Sequence, residues 1–323
     1  MKIIRNLEDI TGRPLKPVVT VGNFDGVHLG HREIFRRVKI AASQLGGVSV
    51  VITFHPHPLK VLAPERSFSL ITTYAEKEVL IGASGIDYLI IIPFSREFAG
   101  ISARDFVVDV LVRRVGVRKI IIGNDYAFGR NREGNVDLLR RLGEEFGFSV
   151  ETLDLVGNGG ITYSSSVIRS MIEDGNVGGV VPFLGRYFSV KGPVIHGLHR
   201  GKSLGFPTAN VDPEEELLPK SGVYAVMATC EGISYKGACN IGFNPTFKGG
   251  KLTVEVHLLD FEGDLYGREM RVCFVDRIRD ERTFSDAACL MQAIEKDVAM
   301  CREVLSGIIP GEYPGKDNIF EEA

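Results

Sequence analysis

Between Thr20 and His31 the chain passes from a β-rich run through Gly22-Asn23-Phe24-Asp25-Gly26 into a helix-forming stretch whose early residues include His28 and His31. That spacing puts two imidazoles about one helical turn apart near a helix start. Amides at such a start favour anions, and glycines let backbone N–H groups approach a phosphate closely. Paired histidines add donors toward charge developing on a phosphorus in transit. Nucleotidyl transfer needs little more, because positioning, Mg²⁺ and electrostatic stabilisation do most of the work when an incoming phosphate displaces pyrophosphate. By spacing alone, the same residues also fit two solvated helix histidines and two turn glycines. A zinc site lacks a third ligand nearby.

Other constellations carry weaker signals of their own. Ser164 and Ser165 offer hydroxyl donors and Arg169 a fork suited to phosphate oxygens, while Asp125 can accept from a nucleotide hydroxyl or amine. Ser164 to Ser166 also read as an N-cap before Val167-Ile168, and a capped helix start is itself an anion site. His55 and His57 are candidate metal ligands in isolation, but Pro56 and Pro58 between and after them suit an extended wall against a substrate better. Gly197 lies one residue too close to Gly201-Lys202-Ser203 for a P-loop, and a Gly-Pro turn follows where a helix is required. Arg200 and Lys202 in that loop still make a plausible phosphate cradle. Glu255 sits in an alternating run, Thr253 to Leu258, where a polar residue ordinarily marks the solvated face.

The elements that must position these groups fall into two sets. Up to Leu153, β-rich runs (Val18 to Val21, Val48 to Phe54, Tyr88 to Ile92, Lys119 to Ile122, Ser149 to Leu153) alternate with amphipathic stretches (Glu33 to Leu45, Tyr74 to Gly82, Ala103 to Val115, Val136 to Phe146). Alternation of this kind predicts an α/β unit with a doubly wound parallel sheet, whose ligands lie at the carboxyl ends of the strands. From Tyr187 onward, strand-like runs follow one another without helices (Ser189 to Ile195, Gly222 to Thr229, Ile233 to Ile241, Thr253 to Asp260, Glu269 to Ile278), as in a small antiparallel β-barrel. A closing helix is expected over Ser285 to Leu305, with Ala287, Leu290, Met291, Ile294, Val298 and Cys301 on one side. The boundary should fall near Asp174 to Leu184, giving domains 1–183 and 184–310 and a loosely held tail, 311–323.

Bulk properties narrow the function classes. At 323 residues, 44% hydrophobic and 24% charged, the chain is an ordinary globular one with room for two cores. A net charge of −3 provides no global field for a nucleic acid, so anion binding must be local. Five cysteines without a Cys-x-x-Cys pair fit a reduced compartment. The start lacks the apolar core of a secretory signal, and no apolar run approaches the roughly 20 residues that span a bilayer. These features point to a cytoplasmic protein with no membrane partner; they leave oligomeric state open.

Gly22 to His31 resembles the Gly-x-Phe-Asp-Gly-x-His-x-Gly-His form of the nucleotidyltransferase His-x-Gly-His motif. Thr53 to Pro58, Gly123 to Gly129 and Ser164 to Arg169 resemble, in order, segments of the prokaryotic bifunctional riboflavin kinase and FAD synthetase family. Ser166 replaces that family's Thr, and Tyr126 a usual Phe; hydroxyl and ring are kept. Gly205 to Asn210 resembles the Gly-Phe-Pro-Thr-Ala-Asn motif of riboflavin kinases, and Glu255 to Phe261 with Asp264 to Gly267 their second motif. Arg279 with Glu281 also matches a family segment, or forms a surface ion pair. The resemblance, from about Val18 to Leu305, implies ATP-dependent phosphorylation of riboflavin to FMN by the second module. Adenylylation of FMN to FAD with release of pyrophosphate by the first would follow.

It further implies that His28 and His31 act in adenylyl transfer, with Gly22, Phe24, Asp25, Gly26, Asp125, Ser164, Ser165, Arg169, Gly201 and Lys202 around nucleotide and phosphate. Phe54, His57, Pro58 and Phe128 would contact flavin. Thr208 and Asn210 would bind Mg²⁺ and phosphate, and Glu255 would be the general base toward a primary alcohol. Mg²⁺ is expected at both sites, ATP as co-substrate, and flavin as substrate and product. Two other classes remain: a different adenylyl or cytidylyl transferase, acting on a pantetheine phosphate or phosphosugar, and a flavin-responsive binding protein without catalysis.

Overall fold

A computed structural model of the chain describes residues 1–10, 12, 14–154, 162–197, 205–214, 217–243 and 252–312. Its contacts divide the chain into two units, 1–68 with 74–164, and 69–73 with 165–323.

In the first unit the valine and isoleucine runs become strands β1 (Lys2–Ile4), β2 (Val18–Val21), β3 (Ser49–His55), β4 (Tyr88–Pro93), β5 (Lys119–Gly123) and β6 (Ser149–Leu153). All pair in parallel, in the order β1-β4-β3-β2-β5-β6. The helices are α1 (Leu29–Leu45), α2 (Pro58–Leu62), α3 (Tyr74–Ala83), α4 (Arg96–Ala99), α5 (Ala103–Asp105) and α6 (Val136–Phe146), with a π-helical stretch, Phe106–Val115, continuing α5. Alternate strand residues feed two apolar layers. Val19, Val21, Ile52, Ile90 and Ile120 pack with Phe106, Val107 and Leu111, while Val18 and Ile121 pack with Ile34, Val38 and Ala42 of α1. Burial on both faces is why these strands read as unbroken apolar runs. From β2 the chain winds outward to β3 and β4, then returns to place β5 and β6 on the other side. The carboxyl ends of β2 and β5 therefore flank a topological switch point.

The second unit contains α7 (Ser165–Glu173), α8 (Val181–Leu184), β7 (Phe188–Ile195), β8 (Ala209–Val211), β9 (Gly222–Cys230), β10 (Ile233–Phe243), β11 (Leu252–Leu258), β12 (Glu269–Asp280) and α9 (Ala287–Val304). Its strands close antiparallel in the order β10-β11-β8-β7-β12-β9, which leaves no free sheet edge. β9 is buried at every position. Tyr224, Val226 and Ala228 face the interior, while Ala225 and Met227 lie beneath Cys301 and Leu305 at the end of α9.

The helix that carries Glu33 to Leu45 begins at Leu29 with His28 as its cap, so both imidazoles stand at its start as expected. Two local expectations change. Ala209 and Asn210, placed by sequence in a Gly-Pro turn, open β8, because antiparallel partners β7 and β11 supply the hydrogen bonds that local propensity does not. On α9 the buried stripe is Ala293, Asp297 and Cys301, and Met291 is exposed. Within that stripe the Asp297 carboxylate receives a two-point pair from Arg279 (Nε–Oδ1 2.8 Å, Nη2–Oδ2 2.6 Å). Arg279 is thus engaged by Asp297 rather than forming the surface pair with Glu281. Segment 165–184 shares the barrel's core, with Ile168, Ile172, Val177 and Leu184 packed alongside Val190 and Phe274.

Candidate active sites

The turn after β2 is held in an unusual conformation. Phe24 (φ 50°), Gly26 (φ 79°) and Val27 (φ 37°) occupy the left-handed region, although only Gly26 does so without a steric penalty. Burial overrides that penalty: Phe24 and Val27 are both within the core. The Phe24 ring lies against Gly22, where an added Cβ would come within 2.8 Å of it, and meets His31 edge-on at 5.2 Å and Phe35 at 5.0 Å. Phe24 is therefore a wedge beneath the turn, and Gly22 is glycine because the ring occupies the place of a side chain.

His28 caps α1, its Nδ1 accepting from the His31 N–H at 3.3 Å. In the neutral ring the proton is accordingly on Nε2. The two imidazoles stack at 3.5 Å between centroids. Gly30 makes room for this, since a Cβ there would meet Tyr163 at 2.8 Å and the His28 ring at 3.2 Å. Burial, with the neighbouring His28 and Lys77, holds His31 well below the ordinary imidazole value, and its Nδ1 is buried without a hydrogen-bond partner. The N–H groups of Leu29 and Gly30 face forward from the first turn, as at any helix start, where an anion is favoured.

At the carboxyl ends of β2 to β5 a cavity of about 540 Å³ opens. Gly22 and Asn23 line it from beyond β2, Phe54 from β3 and Pro58 from the start of α2, Phe94 and Phe98 from beyond β4, and Asp125 to Gly129 from beyond β5. Its walls are aromatic: Tyr126 stacks on Phe128 at 5.3 Å, and Phe54 meets Phe94 edge-on at 5.6 Å. Burial raises the Tyr126 hydroxyl far above its usual value, so it stays protonated. Of the sequence-derived candidates, Gly22, Asp125, Phe54, Pro58 and Phe128 are brought together here. His57 is not among the lining residues: it caps α2, accepting from the Leu59 N–H, and stacks on Phe68 at 4.4 Å. Ser164 stands just before α7, and Arg169 on that helix donates to the Ser69 carbonyl at 2.9 Å within the second unit.

Sequence reading missed Phe94, Phe98 and Asn23 as lining residues, and Lys77 altogether. The aromatics follow β4 as part of no motif. Lys77 reads as a solvated helix lysine, yet it is 5% exposed.

The barrel builds its polar cluster by register. Glu255 on β11 lies directly opposite Asn210 on β8 and opposite Asn240 on β10. Cross-strand partners of this kind hold their Cβ atoms about 4.5–5.5 Å apart. Val254, Val256 and Leu258 point inward, so Glu255 and its pair residues share the outer, half-buried face. Thr208, two residues before Asn210, is also half-buried; His257 Nδ1 lies 2.9 Å from the Pro207 carbonyl, pinning that turn. Gly197 comes against Asn210 so closely that a Cβ would collide with its amide. Gly201 and Lys202 lie outside the described residues. Among the described residues no three His, Cys, Asp or Glu side chains converge as a metal cage. Thr208 and Asn210 nevertheless offer oxygen beside a carboxylate, which suits Mg²⁺, a cation that completes its octahedron with water and substrate phosphate.

Comparison with known proteins agrees with this division. A family model for FAD synthetase matches residues 12–167, and one for riboflavin kinase matches residues 184–305. The bifunctional riboflavin kinase/FMN adenylyltransferase of Escherichia coli (strain K12) is 36% identical over 307 residues, covering 94% of this chain and 97% of the relative. This chain belongs to the bifunctional riboflavin kinase/FMN adenylyltransferase family. The Bacillus subtilis (strain 168) member is 35% identical over 298 residues, covering 87% and 90% of the two chains. Among solved structures, a Streptococcus pneumoniae chain named as a macrolide-efflux protein superposes with a TM-score of 0.85 at 32% identity, covering 94% of this chain and 99% of its own. No described helix here is long and apolar enough to cross a membrane.

Proposed function

We propose that this chain makes FAD from riboflavin in two ATP-dependent steps, the barrel unit phosphorylating riboflavin and the parallel-sheet unit adenylylating the FMN. The observation that carries the reading is the meeting of Gly22, Asp125, Phe54 and Phe128 in one aromatic-walled cavity at the β2/β5 switch point. An apolar slot of this size suits a planar heteroaromatic acceptor better than a pantetheine or sugar phosphate.

In adenylyl transfer an FMN phosphate oxygen bonds to the α-phosphorus of ATP as the bond to the bridging oxygen breaks and pyrophosphate leaves. No proton has to move. The α1 N-terminus and the His28 and His31 rings supply donors toward the charge spread over that phosphorus, and Asp125 accepts from the nucleotide. In the kinase step Glu255 takes the proton of the primary alcohol of riboflavin as its oxygen attacks the γ-phosphorus. Thr208 and Asn210 would hold Mg²⁺, which when bound neutralises phosphate charge. ATP, riboflavin, FMN and FAD are then the partners, without nucleic acid. The five free cysteines accord with a cytoplasmic location. Incubating the purified protein with riboflavin, ATP and Mg²⁺ and separating the flavins tests the whole reading. Ordered appearance of FMN and then FAD is expected, and flavin recovered unchanged would defeat it.

A further inference from the structure

Lys77 lies on α3, buried, with its Nζ 3.2 Å from the Asn23 carbonyl and 3.2 Å from Thr53 Oγ1. Thr53 Oγ1 in turn donates to the same Asn23 carbonyl at 3.2 Å. One backbone oxygen is thus gripped from α3 and from β3 together. It belongs to the residue that leads into the strained turn of Phe24 and Val27, which ends at the His28 cap. Left-handed non-glycine residues keep their conformation only where the surroundings over-determine it. The Phe24 wedge supplies one constraint from below, and the Lys77–Thr53 grip supplies the other at the mouth of the turn.

Packing alone would favour an apolar side chain here, because a buried ammonium forfeits hydration. What the charge finds instead is local: the face of Tyr74, with its centroid 5.2 Å from Nζ, and the carboxylates of Asp25 and Glu78, which favour the charged form against burial. The same ammonium bears on His31 and helps keep that ring neutral.

We propose that Lys77 is a positioning residue for adenylyl transfer, fixing through the Asn23 carbonyl the turn that aims the His28–His31 pair and the α1 N-terminus at the reacting phosphate. This rests on the adenylyl-transfer reading above. Asn23 lines the cavity through this same turn, but the aromatic walls Phe94, Phe98, Tyr126 and Phe128 stand on other elements, so loss of the grip acts mainly on the reacting geometry and less on substrate binding. Misplacement of catalytic groups by about 1 Å can cost on the order of 100-fold in rate.

The test uses the full chain with FMN and ATP. Lys77→Met is expected to lower kcat for FAD formation about 30-fold or more, with KM for both substrates within about 3-fold of wild type and riboflavin phosphorylation unchanged. Thr53→Val, which removes one anchor and keeps the charge, should show the same split at about 3- to 10-fold. Should Lys77→Met disrupt the first unit, Thr53→Val decides alone. A kcat for FAD formation near wild type in the properly folded variants, or a loss confined to KM, overturns the assignment of Lys77. Wild-type protein that makes no FAD from FMN would instead refute the adenylyl-transfer reading itself.

Discussion

In the first unit the polar groups come from the turn after β2 and from helices α1 and α3 beside it, and they are buried: Asp25, His28 and Lys77 are nearly inaccessible and His31 is held neutral. In the second unit Asn210 and Glu255 stand on the strands themselves, half-buried on the outer face of a closed barrel. The two arrangements suit two chemistries. Adenylyl transfer moves no proton, so fixed donors in a dry crevice serve it, where preorganised dipoles act most strongly. Alcohol phosphorylation must remove a proton, so a carboxylate with access to the incoming hydroxyl serves that.

If the units work independently, damage to one should leave the other standing. The largest effect is expected from replacing His28 and His31 together by Ala: FAD formation from supplied FMN should fall by about 100-fold or more, with riboflavin phosphorylation kept. A double variant making FAD at the normal rate would remove the histidines from the mechanism. Next comes Gly22→Ala, whose methyl group must displace the Phe24 ring; adenylylation should drop about tenfold and the first unit lose about 1–3 kcal/mol, measured by denaturant unfolding. Phe54→Ala should raise KM for FMN about 5- to 10-fold with little change in kcat, as removal of one aromatic wall implies.

The smallest effect is in pH dependence. The folded-state value of His31 lies below its unfolded value, so between the two the unfolded chain binds more protons. Stability of the first unit should therefore fall as pH drops through about 6.5 and level off below the folded value. His31→Gln should flatten that slope in melts followed between pH 7.5 and pH 5, and an unchanged slope would mean that another group titrates there.

The same contrast explains what could be read from the residues alone. At strand ends the chain itself links the functional groups, so Gly22 to His31 and Gly123 to Gly129 appear as continuous motifs. The unbroken valine and isoleucine runs announce a sheet covered on both faces. On the barrel, Asn210 and Glu255 meet only through pairing of β8 with β11, and β8 is too short and too close to Pro207 to announce itself. Their association came through family resemblance. Lys77 and Phe94 left no local trace because burial is decided by elements distant in sequence, and Asp297 on the buried side of α9 is explained only by its distant partner Arg279.

Independence of the two sites is tested most directly with Glu255→Gln, supplied in parallel with riboflavin or with FMN in the presence of ATP and Mg²⁺, the flavins then being separated. FAD should form from FMN at close to the wild-type rate while riboflavin remains unphosphorylated. Equal loss of both activities, or FMN appearing from riboflavin at the normal rate, would contradict the account.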